Sequence, residues 1–114
     1  MMVQLQSWEE LEEQLHIRGE QLILLYFTSQ TCPVCHVLLP KVQELALAYP
    51  EVLAVHIDIE QVPKAQGTFM VFSAPTVVLL WDQKEILRRS TFIQVAEVEQ
   101  YIKKYLFFTK DTKE

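Results

Sequence analysis

Cysteine is scarce in this chain of 114 residues, which contains two of them, Cys32 and Cys35. A structural zinc site usually takes about four cysteine or histidine ligands. The chain adds three histidines, but His36 adjoins Cys35 and would point to another side of any helix that carries both. A metal site is therefore disfavoured, and we expect neither a metal nor any other cofactor.

Basic residues are also few, and the formal net charge is −5. They form no cluster, which argues against a surface for nucleic acid. No apolar run approaches the roughly 20 residues of a membrane-spanning helix. The N-terminus lacks a basic segment followed by a long apolar one, so no targeting signal is expected. We expect a cytoplasmic protein with neither nucleic acid nor membrane as a partner.

Half of the residues are hydrophobic, which is typical of a folded chain and not of a disordered one. At this length folding buries roughly 65% of the surface of the unfolded chain. That is enough for a hydrophobic core without disulfide staples. We expect a monomer with one domain over residues 1–108 and a short polar tail over residues 109–114.

Hydrophobic periodicity divides the chain into helices and strands. The predicted elements are a helix from Ser7 to Gly19, a strand over 22–28, a helix over 33–49 that contains Pro40, a strand over 52–59, a short helix over 63–67, strands over 76–81 and 85–92 joined by a turn at Asp82-Gln83, and a helix from Val95. The first half is a βαβ unit and implies parallel pairing, whereas the second half is a hairpin followed by a helix. The sequence predicts an α/β fold with a mixed sheet and helices on both faces.

Cys32-Pro33-Val34-Cys35 lies where the first predicted strand gives way to a helix. A thiol at the start of a helix is near the positive end of the helix dipole, which favours the thiolate. Cys32 is therefore the predicted attacking thiol. Cys35, one turn later and more buried, is predicted to resolve the mixed disulfide. A CxxC motif in this setting is typical of redox chemistry.

Candidate substrate contacts flank the two cysteines. Val34 places an apolar side chain beside the sulfur, and Thr31 precedes the motif on its other side. The segment Phe69–Phe72 is unusually apolar and is a candidate substrate platform. The alternative for Val34 and for this segment is ordinary packing without a role in binding.

The order strand, CxxC, helix interrupted by Pro40, strand ending at Ile57-Asp58-Ile59-Glu60, then Ala74-Pro75-Thr76 before a hairpin resembles the thioredoxin family. The resemblance covers roughly residues 5–106. It implies the thioredoxin fold, with a mixed central sheet of four to five strands. It also implies that Pro75 is cis and packs against the CxxC, and that the backbone of Ala74 pairs with a substrate strand.

The same resemblance implies a thiol–disulfide oxidoreductase of the type that reduces protein disulfides. Its partners would be disulfide-containing proteins, and an external reductase or a low-molecular-weight thiol would restore the dithiol. The direction of electron transfer depends on how well the thiolate is stabilised. A reducing compartment favours reduction of the substrate.

The sequence departs from the family pattern beneath the active site. Tyr26 stands where thioredoxins bury an aspartate that accepts the proton of the resolving thiol, and His56 replaces the lysine usually paired with it. A phenol with an unperturbed pKa near 10 is poorly suited to accept that proton, whereas a histidine exchanges protons near neutrality. Tyr26 and His56 are thus candidates for proton transfer. The alternative is that His56 is a half-buried histidine without a catalytic part.

A second functional reading is a binding module that holds a partner or an apolar peptide beside Pro75. In that reading the cysteines are regulatory or idle. The missing aspartate favours it, as does Ser29-Gln30-Thr31, which lacks the tryptophan usual before the first cysteine of thioredoxins. A metal-handling protein is a third and more distant alternative.

Overall fold

The computed structural model describes residues 2–17 and 21–112. The strands are β1 (Met2–Gln4), β2 (Leu22–Thr28), β3 (Leu53–Asp58), β4 (Thr76–Trp81) and β5 (Lys84–Ser90). The helices are α1 (Trp8–Ile17), α2 (Pro33–Ala48), α3 (Pro63–Thr68) and α4 (Val95–Thr112). The predicted helix end at Gly19 lies outside the described residues.

The strands form a five-stranded mixed sheet in the order β1-β3-β2-β4-β5. Strands β1 and β2 both run parallel to β3, whereas β4 is antiparallel to β2 and to β5. In this register Tyr26 lies between His56 on β3 and Val77 on β4. The predicted α/β fold with a mixed sheet is confirmed.

The central strand β2 is buried over its whole length. Because side chains alternate along a strand, Leu24 and Tyr26 face one core and Leu25 and Phe27 face another. Among the other members of the first core are Leu38 and Val42 of α2 and Val98 and Ile102 of α4, and the second includes Leu11 of α1 and Ala65 of α3. A slip of one residue in register would exchange these two faces. The two cores therefore fix the register of β2 against β3 and β4, and with it the position of the residue at which β2 ends.

Most predicted elements agree with the structure to within a residue or two, which is the precision with which such ends are defined. No strand is predicted at β1, yet Met2 pairs with Ala54 at the edge of the sheet. With 3 residues, β1 is too short to show a period. Helix α2 runs through Pro40, which has no N–H to donate to the carbonyl of His36.

The last two elements differ from the sequence prediction near their ends. Helix α4 continues to Thr112, so part of the polar tail expected over residues 109–114 is helical. Neither glycine nor proline follows Val95, so the sequence contains no residue that stops this helix. Strand β5 ends at Ser90 and not at Phe92, since Thr91 has a φ of 67° and leaves the extended conformation.

The predicted turn between β4 and β5 is confirmed. Asp82 and Gln83 both adopt the left-handed conformation, with φ values of 52° and 64°. This backbone is that of a type I′ hairpin turn, which favours Asn-Gly. For residues other than glycine, asparagine and aspartate it costs roughly 1–2 kcal/mol, so Gln83 destabilises this turn.

We expect the double variant Asp82→Asn with Gln83→Gly to be more stable than the wild type, because both new residues tolerate the left-handed conformation. The gain should be about 1 kcal/mol, which raises Tm by roughly 5 °C for a domain of this size. Thermal and urea unfolding measure it. Gln43→Gly on the exposed side of α2 is the control and should lose about 1 kcal/mol. A similar loss in the turn variant would contradict the prediction.

Candidate functional site

The two cysteines meet at the N-terminus of α2. Cys32 is the N-cap residue, and its Sγ accepts a hydrogen bond of 3.2 Å from the backbone N–H of Cys35. The two Cα atoms are 5.3 Å apart, and the two sulfurs are joined in a disulfide bond. Cys32 is half-buried, whereas Cys35 is 2% exposed. A substrate can therefore reach the sulfur of Cys32 more easily than that of Cys35.

The turn that leads from β2 into Cys32 is held by hydrogen bonds. The N–H of Cys32 donates to the carbonyl of Ser29 at 3.2 Å. The Ser29 hydroxyl donates to the Glu60 carboxylate at 2.6 Å, and it lies 3.1 Å from the hydroxyl of Thr31. Thr31 is exposed beside the motif. These contacts fix the position of residues 29–31, which precede Cys32, relative to the end of β3.

The segment before β4 reaches the same end of the sheet. The Ala74–Pro75 peptide bond is cis, Pro75 is buried and Ala74 is half-buried. Thr76 pairs with Phe27, the penultimate residue of β2. Pro75 therefore lies opposite the point at which β2 turns toward the cysteines.

This segment is also bonded to the end of β5. The carbonyl of Pro75 accepts a hydrogen bond of 3.0 Å from the N–H of Thr91. The Thr76 hydroxyl donates to the carbonyl of Ser73 at 2.7 Å and lies 2.9 Å from the hydroxyl of Ser90. The start of β4 is thus joined to the end of β2 on one side and to the end of β5 on the other.

Tyr26 lies beneath the disulfide and is fully buried. Its hydroxyl donates a hydrogen bond of 2.9 Å to the backbone carbonyl of Cys35. Burial raises the pKa of Tyr26 to about 12. The phenol therefore keeps its proton at neutral pH and acts as a donor to the first turn of α2.

His56 is the titratable neighbour of Tyr26, with 5.5 Å between the ring centroids. Its Nε2 lies 2.8 Å from Thr28 Oγ1, a hydrogen bond that either ring tautomer can form. Burial lowers the pKa of His56, the charge of Asp58 opposes that shift, and His36 adds to it. The ring is therefore mostly neutral at pH 7, the state in which a histidine can accept a proton.

The apolar segment Phe69–Phe72 divides between core and surface. Phe69 packs against Phe27, with ring centroids 5.9 Å apart, and Val71 is buried. Met70 and Phe72 point outward and are 64% and 83% exposed. Phe69 and Val71 therefore pack in the core, and only Met70 and Phe72 are placed where a substrate platform would require them.

Other exposed apolar side chains were not all expected. Val34 is 54% exposed, as a substrate contact must be, and Val37 on the same helix is 70% exposed. Phe92 is 91% exposed next to Thr91. Sequence reasoning missed Phe92 because it follows an alternating strand, and only the left-handed Thr91 turns the chain outward there.

The described part of the chain contains no group of three or more His, Cys, Asp or Glu side chains that could hold a metal ion. Within residues 2–17 and 21–112, no helix combines the length and the apolar character needed to cross a membrane.

The chain is similar in sequence to known proteins. Residues 2–104 match the family model of thioredoxin. The chain is 32% identical to a thioredoxin of Chlamydia trachomatis over 87 residues, which are 76% of this chain and 82% of that protein. It is 30% identical to the thioredoxin-like protein YdfQ of Bacillus subtilis over 88 residues, or 77% of this chain and 79% of that protein.

Solved structures show the same arrangement of elements. Fasciola hepatica thioredoxin superposes with a TM-score of 0.80 at 30% identity, covering 90% of this chain and 98% of the other. The thioredoxin NaTrxh of Nicotiana alata gives a TM-score of 0.84 at 24% identity, with 90% of each chain covered. The second likeness concerns the fold alone.

The lowered pKa of His56 makes the stability depend on pH. Below pH 6.5, the ordinary pKa of histidine, the unfolded chain gains a proton that the folded chain does not. The contribution to stability is therefore complete above about pH 6.5 and is lost as the pH falls toward the lowered pKa. We expect His56→Gln to lose less free energy of unfolding between about pH 7.5 and pH 5.5 than the wild type does.

Urea unfolding at both pH values measures this difference, and titration of the histidine ring protons by NMR gives the pKa of His56 directly. The variant also serves to assign the His56 signal. Parallel pH dependences in the wild type and in His56→Gln, or a midpoint for His56 above the ordinary value, would contradict the prediction.

Proposed function

Since the chain belongs to the thioredoxin family of thiol–disulfide oxidoreductases, we propose that it reduces disulfide bonds in polypeptides with Cys32 and Cys35. The observation that carries this proposal is the half-buried Cys32 at the N-cap of α2, whose sulfur is bonded to that of the buried Cys35 within the same turn. This arrangement suits a dithiol that opens and closes without a change of fold.

In the proposed reaction the thiolate of Cys32 attacks one sulfur of the substrate disulfide. The S–S bond of the substrate breaks, and the leaving sulfur departs as a thiolate that takes up a proton. The thiolate of Cys35 then attacks the Sγ of Cys32 and releases the second substrate thiol. Two electrons and two protons pass from the dithiol to the substrate, and the protein is left with the disulfide between Cys32 and Cys35.

The roles of the two cysteines follow from their surroundings. The backbone N–H of Cys35 points at the Sγ of Cys32, and the helix dipole adds positive potential at the same place. Both favour the thiolate of Cys32 over its thiol. Cys35 is shielded from solvent, so substrates do not compete with Cys32 for it and it is available to resolve the mixed disulfide.

Loss of the proton from Cys35 is assigned in this proposal to His56, directly or through a water molecule. A neutral imidazole whose pKa is lowered by burial is a competent acceptor. Tyr26 holds the Cys35 carbonyl through its hydroxyl and positions the thiol. With a pKa of about 12, it does not accept the proton.

Substrate binding is assigned to the residues around Cys32. The backbone of Ala74, next to Pro75, would pair with an extended substrate strand. Val34 and Thr31 are exposed on either side of Cys32, and the outward Met70 and Phe72 add apolar surface. A polypeptide that carries apolar side chains near its disulfide fits this environment.

The proposed setting is a reducing cytoplasm, with the chain acting as a monomer and as one domain. The disulfide formed in each cycle must be reduced by a second dithiol protein or by a low-molecular-weight thiol. Neither reduction of the substrate disulfide nor the subsequent reduction of the Cys32–Cys35 disulfide needs a cofactor bound to the chain.

A binding module is the second candidate function. The observation that favours it is the absence of a carboxylate from the position of Tyr26, whose phenol stays protonated. The exposed apolar side chains Met70, Phe72 and Phe92 would then hold a partner whether or not the cysteines react.

We expect Cys32→Ser to abolish the reduction of insulin disulfides in the presence of dithiothreitol, because the attacking sulfur is gone. The loss should exceed about 100-fold. Cys35→Ser keeps the first attack and should accumulate a mixed disulfide with the substrate. Precipitation of reduced insulin measures the first effect, and non-reducing electrophoresis with mass spectrometry measures the second.

The control for the trapped species is dithiothreitol, which must release the captured chain. Acceleration of insulin reduction by Cys32→Ser to the level of the wild type would refute the reductase. Persistent binding of the partner by a variant without either thiol would support the binding module.

A separate prediction concerns proton transfer. His56→Gln should slow oxidation of the reduced protein roughly ten- to hundredfold near pH 7 and should remove the acidic limb of the pH–rate profile. Tyr26→Phe should keep that limb, because a phenol with a pKa of about 12 does not titrate there. Single-turnover kinetics across the neutral range measure both profiles. An unchanged profile in His56→Gln would leave His56 with a purely structural part.

A further inference from the structure

Arg88 makes contacts that its position on an edge strand does not require. Its guanidinium donates hydrogen bonds to the backbone carbonyls of Phe69 at 2.6 Å and Met70 at 3.3 Å. It also forms an ion pair with Glu85 at 2.7 Å. The two carbonyls belong to the connection between α3 and β4, so Arg88 bonds β5 to a segment far from it in the sequence.

These carbonyls lie just beyond a short helix. Phe69 is the C-cap of α3, which has 6 residues. Carbonyls at a helix C-terminus lack helical donors, and a cationic side chain is a favourable partner for them. Met70 has a φ of 54°, a conformation that is unfavourable for a residue with a side chain. The backbone N–H groups of Met70 and Val71 donate to carbonyls of α3, and Arg88 adds two bonds from outside the turn, to the carbonyls of Phe69 and Met70.

The turn determines which way its side chains point. Phe69 and Val71 are packed in the core shared with α1 and α3, while Met70 and Phe72 face outward. Because consecutive Cα atoms are 3.8 Å apart, Phe72 lies within about 11 Å of Pro75. Phe72 is thus near the end of the sheet where β2 turns toward Cys32, and Met70 precedes it on the same segment.

Arg89 provides a natural comparison. It follows Arg88 on the same strand but pairs with Val77, so it faces the side of the sheet covered by α2 and α4. There it forms an ion pair of 2.9 Å with Glu97 of α4. The side chains of Arg88 and Arg89 are 32% and 41% exposed. The two arginines are similar in exposure and pairing but differ in the segment that they hold.

We propose that Arg88 is a positioning residue that holds Met70 and Phe72 against an incoming polypeptide and so sets a preference for polypeptide disulfides over small ones. This inference rests on the proposed reductase. A polypeptide substrate extends beyond its sulfurs and contacts these side chains while Cys32 attacks. A small disulfide such as cystine reaches Cys32 without touching them. Arg88 therefore acts on substrate binding and leaves the chemical step unchanged.

The test is single-turnover oxidation of the pre-reduced protein by insulin and, separately, by cystine. Arg88→Met should raise the insulin concentration for half-maximal rate about tenfold, because two side chains lose their fixed positions and must be ordered on binding. The maximal rate with insulin and the rate with cystine should stay within about twofold of the wild type. Arg88→Lys should recover part of the insulin effect, because an ammonium can bond to one of the two carbonyls.

Arg89→Met is the matched control and should bind insulin like the wild type. In a Phe72→Ser background, Arg88→Met should add less than about a twofold change, because both substitutions act on the same contact. An unchanged half-maximal insulin concentration in Arg88→Met overturns the proposal. So do equal losses on insulin and cystine, additive effects with Phe72→Ser, or the same loss in Arg89→Met.

If Arg88→Met does not fold, Phe72→Ser decides, with Leu47→Ser as its control at a similarly exposed site on α2. Phe72→Ser must weaken insulin binding and spare cystine, and no effect on insulin would end the proposal. Failure of the reductase itself looks different. In that case neither insulin nor cystine oxidises the pre-reduced wild type, or Cys32→Ser reacts with insulin as fast as the wild type does.

Discussion

The hydrogen bond from the Tyr26 hydroxyl to the Cys35 carbonyl joins the core of the sheet to the helix that carries the redox pair. Strand β2 is buried on both faces, so its register is fixed by two cores at once. That register determines the position of Tyr26 along β2, and the hydrogen bond from its phenol positions the first turn of α2. The N-cap sulfur of Cys32 is therefore placed by packing that lies well below the surface.

The same position explains the polar chemistry under the site. A carboxylate there would carry a buried charge, which is costly without a partner, but it would also accept a proton. A phenol avoids that charge and makes a directed hydrogen bond, at the expense of a proton acceptor. His56 and Thr28 then supply the remaining polar atoms, and burial keeps the imidazole neutral. Where thioredoxins bury a charged carboxylate, this chain thus has neutral polar groups beneath the disulfide.

Much of the fold was predictable because its main signals are local. The apolar run of β2, the helical periodicity that predicts α2 and the hairpin around Asp82-Gln83 each depend on neighbouring residues. Strand β1 was not predictable, since its 3 residues extend the sheet only because β3 has a free edge. The outward Phe92 was missed for a related reason, because its exposure depends on the backbone of Thr91 and not on the alternation before it.

The site was predictable where a motif carries the chemistry and not where tertiary contacts do. Cys32, Cys35 and Pro75 stand out in the sequence, whereas Arg88 and Arg89 read only as charges suited to an edge. Strand alternation says that they face opposite sides, but it does not say what covers each side. On one side Arg89 pairs with Glu97 of α4, and on the other Arg88 bonds to the turn after α3. An edge strand can therefore bond two separate segments to the sheet, and only the three-dimensional structure shows which segment each arginine holds.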